Sequence, residues 1–309
     1  MKLPSKNIAH GVALLCCLAP LDVLAESEAC QPERTFVPSS NNAPDVNPRV
    51  IGMLWKVERR GTPASYLFGT IHLQITRLPP AVALALVKAD RFVAETVMDD
   101  SAVAYYRRQM LSNPAPNLDS LFEQPFRKRL LDLLADYGVD RQTALRLKPW
   151  AAFNLLSRPI PTGAPTLDQM LETTARQRKI PVGGLETVTE LVAALENIPL
   201  SHQREIVMDT VCNRSLIEKQ AQALTHRYYN RDLSGMLNVS MRYETSNAAA
   251  SRRFSERLLD DRSQRMLKRL GPYLEAGNAF IAIGALHLPG EEGLLQGLEA
   301  QGYRVTAVY

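Results

Sequence analysis

Beyond its first 25 residues the chain holds four histidines, His72, His202, His226 and His287, and two of them share one local context. Residues 66–73 read YLFGTIHL and residues 281–289 read IAIGALHLP. In each, an apolar run ends at a glycine, Gly69 or Gly284, and the imidazole of His72 or His287 follows three residues later. Glycine lets the backbone turn sharply or approach a ligand closely. Neutral imidazole is a common ligand of first-row divalent metals. A matched pair is therefore a candidate metal site. The alternative is that each ring caps a helix or satisfies buried backbone groups. His202 and His226 fall in polar helical stretches and read as surface residues.

Glu95 follows Phe92-Val93-Ala94 in an otherwise apolar strand. A buried acid is costly unless it binds a cation or is fully hydrogen-bonded. Beside two imidazoles it can ligate a divalent ion or act as general base on metal-bound water. The alternative is an edge-of-sheet acid paired with a helical arginine. Glu186 has a similar place after the strand candidate 180–185. It could stand behind a ligand and orient a histidine, or cap the helix that starts at Thr187.

Both Gly-x-x-His segments continue into a helix and then a strand, so both are candidate βαβ units, which cross over onto a parallel sheet. In such sheets sites form at the C-terminal edge of the strands, where both histidines fall. Strands are predicted over 51–57, 65–68, 92–97, 180–185, 279–283 and 303–308, with a turn at Arg60-Gly61. Helices are predicted over 80–89, 102–111, 118–137, 141–156, 166–179, 200–230, 251–276 and 290–301. Pro125 and Pro149 should start, break or kink the helices that contain them. The expected fold is α/β: a mixed or mostly parallel sheet from N- and C-terminal βαβ repeats, with a large helical insertion at about 100–275.

The composition is 46% hydrophobic and 22% charged, with 16 Gly and 20 Pro, which excludes a coiled coil, a collagen and a wholly disordered chain. A net charge of +4, scattered along the chain, gives no ground for a nucleic-acid partner. Residues 1–25 carry Lys2 and Lys6, a short apolar run and Val23-Leu24-Ala25. That is the pattern of a secretory signal peptide cleaved after Ala25, leaving no stable membrane anchor and a periplasmic or secreted protein. Residues 26–49, rich in proline, read as a flexible arm ahead of a domain over 50–309. Cleavage leaves Cys30 and Cys212 in a compartment that permits disulfides: either a bridge pins the arm to the body, or both stay thiols.

The chain resembles the TraB/GumN family, related to the animal Tiki proteins. The resemblance is carried by Gly69-Thr-Ile-His72-Leu with Leu78-Pro79, Val93-Ala94-Glu95, Gly183-Gly-Leu-Glu186-Thr187 and Ile283-Gly-Ala-Leu-His287-Leu-Pro-Gly-Glu291 with Gly293-Leu294-Leu295. It spans roughly residues 50–309. Asp168 resembles the family's acidic position ahead of its Glu-containing strand. Tiki proteins are regarded as metal-dependent peptidases, so the resemblance implies a manganese, cobalt or zinc ion held by His72 and His287, with Glu95 as a further ligand or as general base. It implies Glu186 and Asp168 behind the ligands, Arg262 stabilising an oxyanion, and a peptide or other acyl substrate. Where the family usually has Arg-Asn, this chain has Arg262-Ser263, and the glutamine usual after the Leu-Glu motif is absent near Glu190. A second implied reading is a non-catalytic protein of the same fold that binds metal, haem or a peptide. A third uses the long amphipathic helices as a partner surface.

Overall fold

The computed structural model describes residue 30 and residues 50–72, 77–112, 116–161, 163–241, 253 and 255–309. The expected leader, and the arm apart from Cys30, lie outside the described residues, as does the onset of the helix expected from Ser251. Six strands form one sheet: β1 (Leu54–Glu58), β2 (Ser65–Thr70), β3 (Arg91–Thr96), β4 (Val182–Glu186), β5 (Ala279–Gly284) and β6 (Arg304–Ala307). Their order is β4-β3-β5-β2-β1-β6. Pairing is parallel from β4 through β3 and β5 to β2, and antiparallel from β2 through β1 to β6.

The α/β fold is therefore as expected, and the first repeat is a βαβ unit with parallel strands. The second repeat pairs less simply, because β5 and β6 lie on opposite sides of β2 and β1. Nor are β2 and β3 neighbours. β5 lies between them, so the second repeat threads its first strand into the middle of the first. The register sets Phe92 and Ala94 of β3 against Phe280 and Ala282 of β5, and Gly69 and Thr70 of β2 against Ile283 and Gly284. Phe68, Phe92 and Phe280 are fully buried and lie in contact across these three strands. Runs buried on both faces, as in β5, are what a parallel sheet covered by helices requires.

Helix α1 (Pro80–Lys88) makes the first crossover, with proline at its first turn, where the missing N–H costs nothing. The insertion then runs through α2 (Asp100–Gln109), α3 (Leu118–Leu121), α4 (Phe126–Asp136), α5 (Arg141–Arg146), α6 (Pro149–Leu156), α7 (Leu167–Gln177), α8 (Val188–Glu196), α9 (Leu200–Cys212), α10 (Arg214–Tyr229) and α11 (Leu233–Met241). A π-helical turn, Glu256–Asp260, leads directly into α12 (Asp261–Ala276), and α13 (Leu294–Ala300) makes the last crossover. Three helices predicted as single spans are each two. The 118–137 span breaks before Pro125, and 141–156 restarts at Pro149. The 200–230 span turns at Asn213, whose φ of −110° and ψ of 38° leave the helical region. The helix starting after Thr187 is capped by that residue and Glu190 in a reciprocal capping box, so Glu186 is free for another task.

Two hydrophobic cores result. One fills the sheet and its covering helices. The other lies within the insertion, around Phe122, Phe126, Leu134 and Trp150, with Cys30 packed against it. Cys30 and Cys212 form a disulfide, which ties the arm to the end of α9 in this second core. Among the described residues no helix is long and apolar enough to cross a membrane.

Candidate active site

The C-terminal edge of the parallel strands opens into a cavity of about 430 Å³ whose far wall is the helical insertion. His72, Glu95, Arg262 and His287 all line it. The two matched histidines, from loops after β2 and β5, therefore share one cavity with the acid of β3. β5 lies between β2 and β3 in the sheet, which is why the three meet.

Both motif glycines act by close approach rather than by a turn. A Cβ on Gly284 would stand 3.2 Å from Glu95 Oε2, and the Gly284 N–H donates to that same oxygen at 2.9 Å. A Cβ on Gly69 would stand 3.2 Å from that of Ala285. A side chain at Gly69 would crowd Ala285, and one at Gly284 would crowd the Glu95 carboxylate.

Arg262 is the centre of the charge arrangement. It lies in the first turn of α12, just after the π-helical turn, a feature frequent at functional sites. Its Nη2 donates to Glu95 Oε1 and, at 2.5 Å, to Glu186 Oε1, and its Nε donates to Glu186 Oε2 at 3.1 Å. Nη1 donates to the Leu258 carbonyl at 3.2 Å and lies 3.5 Å from His287 Nε2. Glu186 also accepts from Thr96 Oγ1 at 2.8 Å. Its partners are thus Arg262, Thr96 and, at 3.7 Å, Arg265, and not the histidine expected for it. The Glu186 side chain is fully enclosed. Burial alone would raise Glu95's pKa, but Arg262, the two histidines and the Gly284 N–H hold its carboxyl well below the usual carboxylate range.

Each histidine has its Nδ1 held. Asp168 Oδ2 lies 2.9 Å from His72 Nδ1, and Ser263 Oγ lies 2.8 Å from His287 Nδ1. Nε2 is the ring nitrogen left over in His72, whereas Nε2 of His287 faces Arg262 Nη1. His287 is buried, and its Nε2 is 4.0 Å from Glu95 Oε2. His72 stands at the cavity mouth with its side chain 52% exposed. Ser263, at the position where the resemblance implies asparagine, carries a task that residue type alone does not reveal. Its adjacency to Arg262 is the available signal. Of the histidines expected at the surface, His226 is exposed, whereas His202 is half-buried and its Nδ1 has no partner among the described residues.

The two rings titrate in opposite senses. Burial, helped by neighbouring Arg262, pushes His287 down to about 4 against the pull of Glu95. For His72, desolvation opposes protonation, but the hydrogen bond and charge of Asp168 outweigh it and raise the pKa above 6.5. The unfolded chain therefore binds the His287 proton first, and the fold loses stability as pH falls from 6.5 toward 4. His72 adds stability below pH 6.5 that disappears as pH rises through its raised pKa. In metal-free protein, ring resonances followed by NMR should show His72 titrating above 6.5 and His287 neutral down to about pH 4. A His287 midpoint near 6.5 would contradict this arrangement.

For a divalent metal, the donors fit in kind. Two imidazoles with Nδ1 fixed from behind, plus one carboxylate, are the set that first-row divalent ions take. In position the sphere is open: among the described residues no three His, Cys, Asp or Glu side chains converge on one point able to hold an ion. Arg262 instead pairs both nearby carboxylates, Glu95 and Glu186.

Neither a search of curated proteins nor one of solved structures finds a match. The family model described as TraB/PrgY/gumN matches residues 53–307, which contain every group of the site. The chain belongs to the TraB/PrgY/gumN family.

Proposed function

We propose that the cavity is the active site of a metal-dependent hydrolase that cleaves a peptide or other acyl bond in the periplasm or outside the cell. One observation carries the reading: His72, Glu95 and His287, from three separate strand ends, line one cavity, with each imidazole fixed through Nδ1. The Cys30–Cys212 bridge supports an oxidising compartment. His72 Nε2, His287 Nε2 and Glu95 would hold a manganese, cobalt or zinc ion. When bound, such an ion polarises the acyl carbonyl and acidifies water.

The chain's own groups do the rest. Of Glu95's two candidate roles, ligand fits better than base, because a carboxylate gripped by Arg262 is a weak proton acceptor. Asp168 and Ser263 keep the two rings in place. Arg262 Nη1, the guanidinium nitrogen turned away from both carboxylates, can meet an oxyanion next to His287. In the overall step water's oxygen bonds the carbonyl carbon, the acyl–nitrogen bond breaks, and the departing nitrogen takes a proton.

A second reading, a protein that binds metal, haem or a peptide without turnover, is favoured by Arg262 already pairing Glu95 and Glu186. Incubating the purified protein with a peptide library, with and without Mn²⁺ or Co²⁺, separates the two. The hydrolase reading expects turnover that needs added metal and disappears in His72→Ala. Metal or haem uptake without turnover supports the second reading, and turnover indifferent to both metal and mutation removes the metal-dependent one.

A further inference from the structure

The wall facing the strand ends includes an arginine and an asparagine that the mechanism leaves unused. Asn154, on α6, and Arg158, two residues past the end of that helix, both line the cavity. Two guanidiniums line the cavity, Arg262 and Arg158, against one carboxylate, Glu95, which Arg262 already holds. Among the described residues the Arg158 side chain has no carboxylate partner. Its charge is nevertheless felt inside, opposing protonation of His72 across the mouth. Phe153, Leu224, Met236, Leu258 and Leu286 also line the cavity, so its lining joins an apolar surface to a free cation and an amide.

A ligand complementary to this surface has an apolar body and one anionic end. A guanidinium and a side-chain amide in the lining of one cavity can match a carboxylate, whose oxygens accept hydrogen bonds from both. We propose that Arg158 and Asn154 form a carboxylate-binding subsite, so that the substrate is an apolar acyl compound ending in a free carboxylate, such as a short peptide with an apolar last residue. The assignment of a substrate rests on the hydrolase reading above; the subsite itself does not. Bound this way, the carboxylate lies against α6 and the acyl carbonyl is left toward His72 and His287. Arg158 is then a specificity-determining residue outside the bond-breaking groups.

Calorimetric titration in the presence of EDTA tests the subsite without requiring turnover. The probes are N-octanoyl-leucine and its primary amide. Wild-type protein should bind the acid at least about tenfold more tightly than the amide. Arg158→Gln should bring that ratio close to one by weakening the acid alone, and Arg158→Lys should restore part of it. Arg158 is exposed, so these variants should keep the wild-type fold. Equal binding of the two probes by wild type, no binding of either, or a preference that survives Arg158→Gln would each overturn the proposal. A preference in a protein that never turns over peptides would sink the hydrolase reading and leave the subsite standing. Turnover without the preference would do the reverse.

Discussion

Arg262→Met should cost the fold about 3–5 kcal/mol at neutral pH, the range for removing one partner of a buried ion pair. The wild-type guanidinium is 8% exposed and the Glu186 carboxylate it holds is 0% exposed, so neither is rescued by water. Methionine fills a similar volume and supplies no donor. It leaves Glu186 with Thr96 and a distant Arg265, and Glu95 with the Gly284 N–H. Without the guanidinium, burial should push the Glu95 carboxyl toward its protonated form. The variant's folded state would bind protons more readily than its unfolded chain, so its deficit should shrink as pH falls from 7 toward 5. Urea denaturation at the two pH values measures this. A loss under about 1 kcal/mol, or a deficit that grows with acid, would show that the guanidinium does not hold this site together.

Glu95→Gln should lower kcat/KM for a cleavable peptide at least about 10–100-fold while the protein still folds, since losing even a group that supports a metal ligand costs that much. The amide keeps the shape of the carboxylate and can still accept the Gly284 N–H. Arg262 retains Glu186, so its charge stays paired. What disappears is the one negative charge directed at His287 and at the space between the histidines. Circular dichroism and the melting transition serve as the control for folding. A variant with full turnover would remove Glu95 from the chemistry. Loss of turnover together with loss of secondary structure would assign the residue to the fold instead.

Much of this site is legible in the amino-acid sequence, because its marks are local. A glycine three residues ahead of each histidine, and an acid in an apolar strand, show within a few residues. The strands are legible too, since alternating and continuous apolar runs report burial directly. Strand order leaves no such mark. That β5 enters between β2 and β3 depends on contacts nearly two hundred residues apart, whereas sequential repeats suggest neighbours. Helix breaks at Pro125 and Pro149 announce themselves, but the turn at Asn213 comes without a proline or glycine beside it. The partner of Glu186 is hidden for a similar reason: Arg262 approaches from a helix 76 residues away. Ser263 reads as a departure because its use depends on where His287 lands. Asn154 and Arg158 carry no local signal at all. Only the packing of the insertion turns that face toward the strand ends.

The central position of β5 also governs how the molecule can be made. A ribosome delivers β2 and β3 long before Ala279–Gly284 exists. Until then the inner edges of both strands lack the neighbour that will fill the gap between them, and each presents an apolar, unpaired ladder to other chains. The nascent polypeptide therefore stays unfinished at its core until Ala279–Gly284 has been made, and a chain stalled before β5 should depend on a holding chaperone to remain in solution.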